Sequence, residues 1–158
     1  MRGKRVVIDT NVLIAANGNA SHGGAACAAA SARALVEAMD GSVCEDVEGR
    51  IFCEWKRYVS FSGQPGVGDR FFGWFVRNRY IASQVVRVSV QGDEDNGLWP
   101  GIPDSLQSMD RMDKKYVGVY LVAEADLLLN ATDSDWSEVA EELLGWRYRS
   151  RALLMTWF

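Results

Sequence analysis

Short apolar runs alternate with helically spaced apolar stripes from one end of the chain to the other. Val6-Val7-Ile8 is an unbroken β-branched run that ends at Asp9. With no polar alternation, it suits a central parallel strand covered on both faces. Ser42-Val43-Cys44, Val85-Val86-Arg87-Val88, residues 126–131 and residues 151–156 read as further strands. Between them the period becomes helical. Residues 11–16 predict a short helix, and the alanine-dense 25–40 a longer one that Gly41 stops. Over 46–60 the stripe Val47, Ile51, Trp55, Tyr58 and Val59 follows 3.6-residue spacing, with Gly49 leaving the first turn open. Residues 69–80 form an aromatic-rich helix. Residues 110–124 carry Tyr116, Val119, Tyr120 and Ala123 at i, i+3, i+4, i+7. Asp135 caps a last helix bearing Trp136, Val139, Ala140, Leu143 and Leu144. Gln64-Pro65-Gly66 is a break, and the Gly- and Pro-rich 91–108 is a long loop of the kind that often carries function. Strands alternating with helices predict an α/β fold: one domain over 1–158, a parallel sheet flanked by helices on both faces.

Composition narrows the class. Charged residues make up 24% and hydrophobic residues 48%, which fits a globular chain rather than a disordered one. No apolar run approaches the roughly 20 residues of a membrane span. Asp9, Thr10 and Asn11 interrupt the apolar stretch behind the basic first residues, which argues against a secretory signal. Cys27, Cys44 and Cys53 are odd in number and lack CxxC spacing, so neither a disulfide framework nor a zinc site is expected and a reducing, cytoplasmic setting is. His22 is the only histidine, which weakens a Ser-His-Asp site. Net charge is −4, against bulk electrostatic attraction to nucleic acid. Lys56-Arg57, Lys114-Lys115 and Arg147, Arg149 and Arg151 are local basic groups that read first as solvated faces.

Five acids stand where buried elements end: Asp9, Glu54, Asp113, Asp133 and Asp135. Several carboxylates near an interior repel one another unless a proton or cation intervenes. In open parallel sheets, ligands bind beyond the carboxyl ends of the strands. Asp9 ends the first strand, and Asp133 and Asp135 follow the fourth. Glu54 shares a helical face with Val47, Ile51 and Tyr58, and Asp113 the side of Tyr116 and Tyr120; both are expected to face inward. Each acid also has a plainer reading. Asp135 with Glu138 makes a capping box, and Asp113 complements a helix dipole. Glu54 has Lys56 and Arg57 as surface partners, and Glu45, Asp46 and Glu48 compete for its role. Asp9 has no such alternative, because its apolar run supplies no cation.

Val7-Ile8-Asp9-Thr10-Asn11-Val12-Leu13-Ile14 resembles the opening of PIN-domain nucleases. Met112-Asp113-Lys114-Lys115, then residues 123–129, then Thr132-Asp133-Ser134-Asp135-Trp136, are similar to that family's second half. Asn130-Ala131-Thr132 departs from the usual Val-Thr-Gly. The resemblance implies a three-layer α/β/α fold and a Mg²⁺- or Mn²⁺-dependent endonuclease, most often acting on single-stranded RNA. It further implies Asp9, Glu54, Asp113 and Asp133 as the catalytic acids, with Asp9, Asp113 and Asp133 on the metal and Asp135 auxiliary. Thr10 or Asn11 would orient Asp9 or a metal-bound water. The toxin of a toxin–antitoxin pair, with an antitoxin protein as partner, belongs to the same implication. The chemistry agrees: hard oxygen donors select Mg²⁺ or Mn²⁺.

Lys114 and Lys115, directly after Asp113, are expected to meet substrate phosphates. Phe71, Phe72, Trp74, Phe75 and Trp99 are candidates for base stacking, but helical spacing favours core or a homodimer surface. Two rival classes remain. A phosphatase of the haloacid-dehalogenase type needs a second aspartate two positions after the first, where Asn11 stands, and a receiver domain needs a late lysine that residues 152–158 lack. A non-catalytic module that has kept the fold is the other.

Overall fold

The computed structural model describes residues 1–19, 23–60, 66–131 and 136, with 156–157 described as backbone. Strands β1 (Arg5–Ile8), β2 (Ser42–Asp46), β3 (Val85–Val88) and β4 (Leu127–Asn130) form a parallel sheet, and a two-residue strand β5 (Thr156–Trp157) extends it. The order is β3-β2-β1-β4-β5. Helices α1 (Thr10–Ala16), α2 (Gly24–Ala38), α3 (Arg50–Tyr58), α4 (Val67–Asn78) and α5 (Lys114–Val122) flank the sheet in the three-layer α/β/α arrangement.

The unbroken apolar runs sit where they should. Val6, Val7 and Ile8 are fully buried at the centre of the sheet, paired with β2 on one side and β4 on the other. Helix α4 crosses close to α1 because Gly68 has no side chain: a Cβ there would lie 2.2 Å from the Leu13 carbonyl oxygen. Phe71, Phe72 and Phe75 of α4 are core, with Trp55 of α3 edge-on to Phe71 and Phe75.

Three expected elements differ in extent. The helix expected over 46–60 begins only at Arg50. Gly49 takes the left-handed conformation (φ 78°), and Asp46, at the end of β2, caps the new terminus by accepting from the Arg50 and Ile51 N–H groups at 2.7 and 2.9 Å. Its stripe is correspondingly shorter, because Val47 and Tyr58 are exposed. The helix expected from residue 110 starts at Lys114, which makes Asp113 its N-cap. The long loop after β3 is packed down, with Trp99, Ile102 and Leu106 buried. Arg50 ties its start by donating to the carbonyls of Val90 and Gly92 at 3.1 and 2.9 Å. Among the described residues, no helix is long and apolar enough to cross a membrane.

Candidate functional site

The chain runs from β1 outward to β2 and β3, then returns to place β4 on the opposite side of β1. The point where the winding reverses therefore lies between β1 and β4, and the crevice beyond their carboxyl ends is the favoured ligand position in such sheets. Ile8 is in register with Leu129, so Asp9 and Asn130 emerge side by side there. The Asp9 N–H donates to the Leu129 carbonyl at 3.0 Å.

Asp9 occupies the N-cap position of α1, yet its side chain makes no capping bond. Instead Oδ2 accepts from Asn11 Nδ2 at 2.8 Å and from the Trp136 indole N–H at 3.1 Å, with the residue only 5% exposed. Asn11 is held on both sides. Its amide also donates to Asn130 Oδ1 at 2.6 Å, and its oxygen accepts from the Ala131 N–H at 2.9 Å. These bonds lock the ends of β1 and β4 together and aim the Asp9 carboxylate.

Thr10, the next residue, reaches a second acid. Its hydroxyl donates to Glu54 Oε1 at 2.6 Å and lies 2.7 Å from the Tyr116 hydroxyl. A threonine has one hydroxyl proton, already given to Glu54, so Tyr116 donates to Thr10. The result is a polarised chain from Tyr116 through Thr10 to Glu54. Burial, then the negative charges of Asp9 and Glu54, push the Tyr116 hydroxyl well above its ordinary range, so it stays protonated as the chain requires. The other Glu54 oxygen sits 2.6 Å from Lys115 Nζ, which also reaches Glu94 at 2.7 Å and the Met112 carbonyl. Burial alone would depress the Lys115 ammonium, but the two glutamates overcome that and hold its pKa above the ordinary lysine value.

Asp113 is half-buried at the start of α5, and its carbonyl accepts from the Tyr116 N–H at 3.0 Å. It therefore lies one turn before the residue whose hydroxyl reaches Thr10. Asp133 and Asp135 fall outside the described residues. The competitors of Glu54 have other roles. Glu45 is buried against Arg79 and Arg87, Asp46 caps α3, and Glu48 meets Ser89 and Arg50. Lys114 and Lys115, expected to contact substrate, are both buried. Lys114 donates to the carbonyls of Gln107 and Gly97 in the long loop, and Lys115 is held between the glutamates.

The sequence does not mark Tyr116, Trp136 or Glu94 as polar members of the site. Tyr116 and Trp136 fall in apolar stripes, and Glu94 lies in a loop without periodicity. The spacing Asp9-Thr10 and Asp113-Tyr116 held the available signal, one helical turn separating the second pair.

Carboxylate oxygen is the donor chemistry that Mg²⁺ or Mn²⁺ prefers, and Asp9 and Asp113 fit it in kind. Glu54 is already matched by Lys115. Among the described residues, no three His, Cys, Asp or Glu side chains converge to hold a metal ion. No family model, curated protein or solved structure matches the chain.

Proposed function

We propose that the chain is a Mg²⁺- or Mn²⁺-dependent endonuclease that hydrolyses phosphodiester bonds in single-stranded RNA. The observation that supports this most is that Asp9 ends β1 at the point where the sheet reverses its winding, while the hydroxyl of the next residue, Thr10, holds Glu54 of α3 at 2.6 Å. Asp9 and Asp113, with Asp133, would hold the ion, and Asp135 would assist. When bound, the ion supplies an acidified water and a counter-charge for the phosphoryl oxygens. The protein's own share is positional. Asn11 and Trp136 fix Asp9, while Thr10 and Lys115 hold the two oxygens of Glu54. The toxin of a toxin–antitoxin pair, acting in the cytoplasm, is the setting that the PIN-like resemblance adds to this reading.

Asp9→Asn keeps the shape of the side chain and removes its charge. The expected outcome is loss of Mn²⁺-dependent cleavage of single-stranded RNA with a cooperative melting transition retained. Undiminished cleavage by this variant removes the reading.

One observation favours a second reading, a non-catalytic module. Lys115 already pairs with both Glu54 and Glu94, as a buried cation would in a site that no longer takes metal. Calorimetry with Mn²⁺ separates the two: neither heat nor a thermal shift would favour the module.

A further inference from the structure

Helix α3 presents a second face beside its apolar one. Arg50, Cys53, Glu54 and Arg57 stand at i, i+3, i+4 and i+7, and all four line one open cavity of about 200 Å³. Glu48, Gly49, Glu94, Met112 and Lys115 complete its wall. The cavity thus opens directly onto the Glu54 end of the candidate site.

Its three cations are not equivalent. Arg50 is committed to the Val90 and Gly92 carbonyls, and Lys115 to Glu54 and Glu94. Arg57 is exposed and, among the described residues, makes no hydrogen bond or ion pair. A guanidinium offers five donors in a fork suited to phosphate oxygens. Arg57 lies about one helical turn, roughly 5 Å along the axis, from Glu54. Its neighbour Lys56 is also exposed in the last turn of α3 but does not line the cavity, so any benefit to the helix dipole is common to both.

We propose that a single-stranded nucleic acid lies along this face of α3, with Arg57 gripping a backbone phosphate one turn from Glu54. This rests on the nuclease reading for its substrate class. It moves phosphate binding from Lys114 and Lys115, which the fold buries, to a residue that the fold leaves exposed.

The test is binding of a short fluorescein-labelled oligouridylate in EDTA, followed by anisotropy across a salt series. Arg57→Glu should weaken binding about tenfold at low salt and lower the slope of log K against log salt by about 0.7, the value for one phosphate contact on a single strand. Lys56→Glu, which changes net charge equally, should stay within about twofold, and Arg57→Lys should recover part of the loss. Equal effects of Arg57→Glu and Lys56→Glu, no effect of either, or no binding by the unaltered protein would each overturn the proposal.

A footprint on the unaltered protein avoids any folding defect of the variants. Cys53 is exposed in the cavity while Cys27 and Cys44 are buried, so iodoacetamide should alkylate Cys53 first. Bound oligouridylate should slow that reaction several-fold; an unchanged rate with oligonucleotide bound would overturn the placement. Because both measurements omit divalent metal, they are independent of the cleavage assay. Binding that depends on Arg57 without cleavage removes only the hydrolytic reading, and cleavage without that dependence removes only this one.

Discussion

Glu45 and Glu54 are both drawn out of water, and the difference between them separates a saturated scaffold cluster from a candidate site. Glu45, on β2, is fully buried and saturated: Arg79 grips both of its oxygens at 2.7 and 2.8 Å, and Arg87 adds a third contact at 2.9 Å. Nothing can approach it. Glu54 keeps 17% of its side chain exposed, gives one oxygen to Thr10 and the other to Lys115, and opens onto a cavity. Burial of a carboxylate is common to both and decides nothing. What marks Glu54 is a paired charge with an open side, connected through Thr10 to the Tyr116 hydroxyl.

The largest effect expected is at the scaffold member. Glu45→Gln leaves two guanidiniums without their shared anion inside the protein, and removal of one partner from a buried pair costs about 3 kcal/mol. Urea unfolding should show that loss, whereas oligouridylate affinity should not change. A stable Glu45→Gln protein with weakened binding would erase the distinction between the two clusters.

Lys115→Met tests the other side. It strands Glu54 and Glu94, but both are partly solvated, so the expected cost is smaller, about 2 kcal/mol after allowing for screening. Adding Glu54→Gln should return part of it, because the two residues share one contact and their effects are not additive. Strict additivity in that double-mutant cycle would show that the Lys115–Glu54 pair contributes nothing. The sign with pH also follows. A lysine whose folded pKa is raised stabilises the protein at all lower pH, and that contribution disappears only above about pH 10.4, where the unfolded lysine titrates.

The sheet was readable because β-branched runs such as Val6-Val7-Ile8 have one plausible place, a doubly covered strand. Asp9 stands out for a related reason: the apolar run that it ends supplies no cation beside it, and the structure gives it Asn11 and Trp136 as donors instead. The start of α3 was not, since apolar spacing continues back through Val47 while the backbone is turned by Gly49 and capped by Asp46. The lysines after Asp113 misled because charge in a sequence is taken as solvent-facing. Here a packed loop wraps over the start of α5, and its Gln107 and Gly97 carbonyls and Glu94 carboxylate absorb both ammonium groups. Tyr116 was legible as core but not as a hydroxyl donor, because a helical stripe does not reveal which aromatic tip meets a polar group across the crevice.

Cys44 offers the smallest and cleanest test of how β2 treats charge. It stands next to Glu45 but, among the described residues, makes no ion pair with a guanidinium; its thiol has a long contact to the Ser42 carbonyl, at 3.9 Å, and a backbone hydrogen bond with Val6. Burial pushes its pKa up to about 12, against the opposing pull of Arg5. In the unfolded chain the thiol ionises near pH 8.5, so above that pH the unfolded state holds fewer protons than the folded one, and stability falls as pH rises. The loss expected from this group by pH 9 is about 1 kcal/mol, read from urea midpoints under reducing conditions. Cys44→Ala should lower stability at neutral pH yet flatten the decline between pH 8.5 and 10. If the variant declines as steeply as the parent, the thiol is not held neutral. The region around Glu45 would then tolerate an unpaired anion, contrary to the contrast with Glu54.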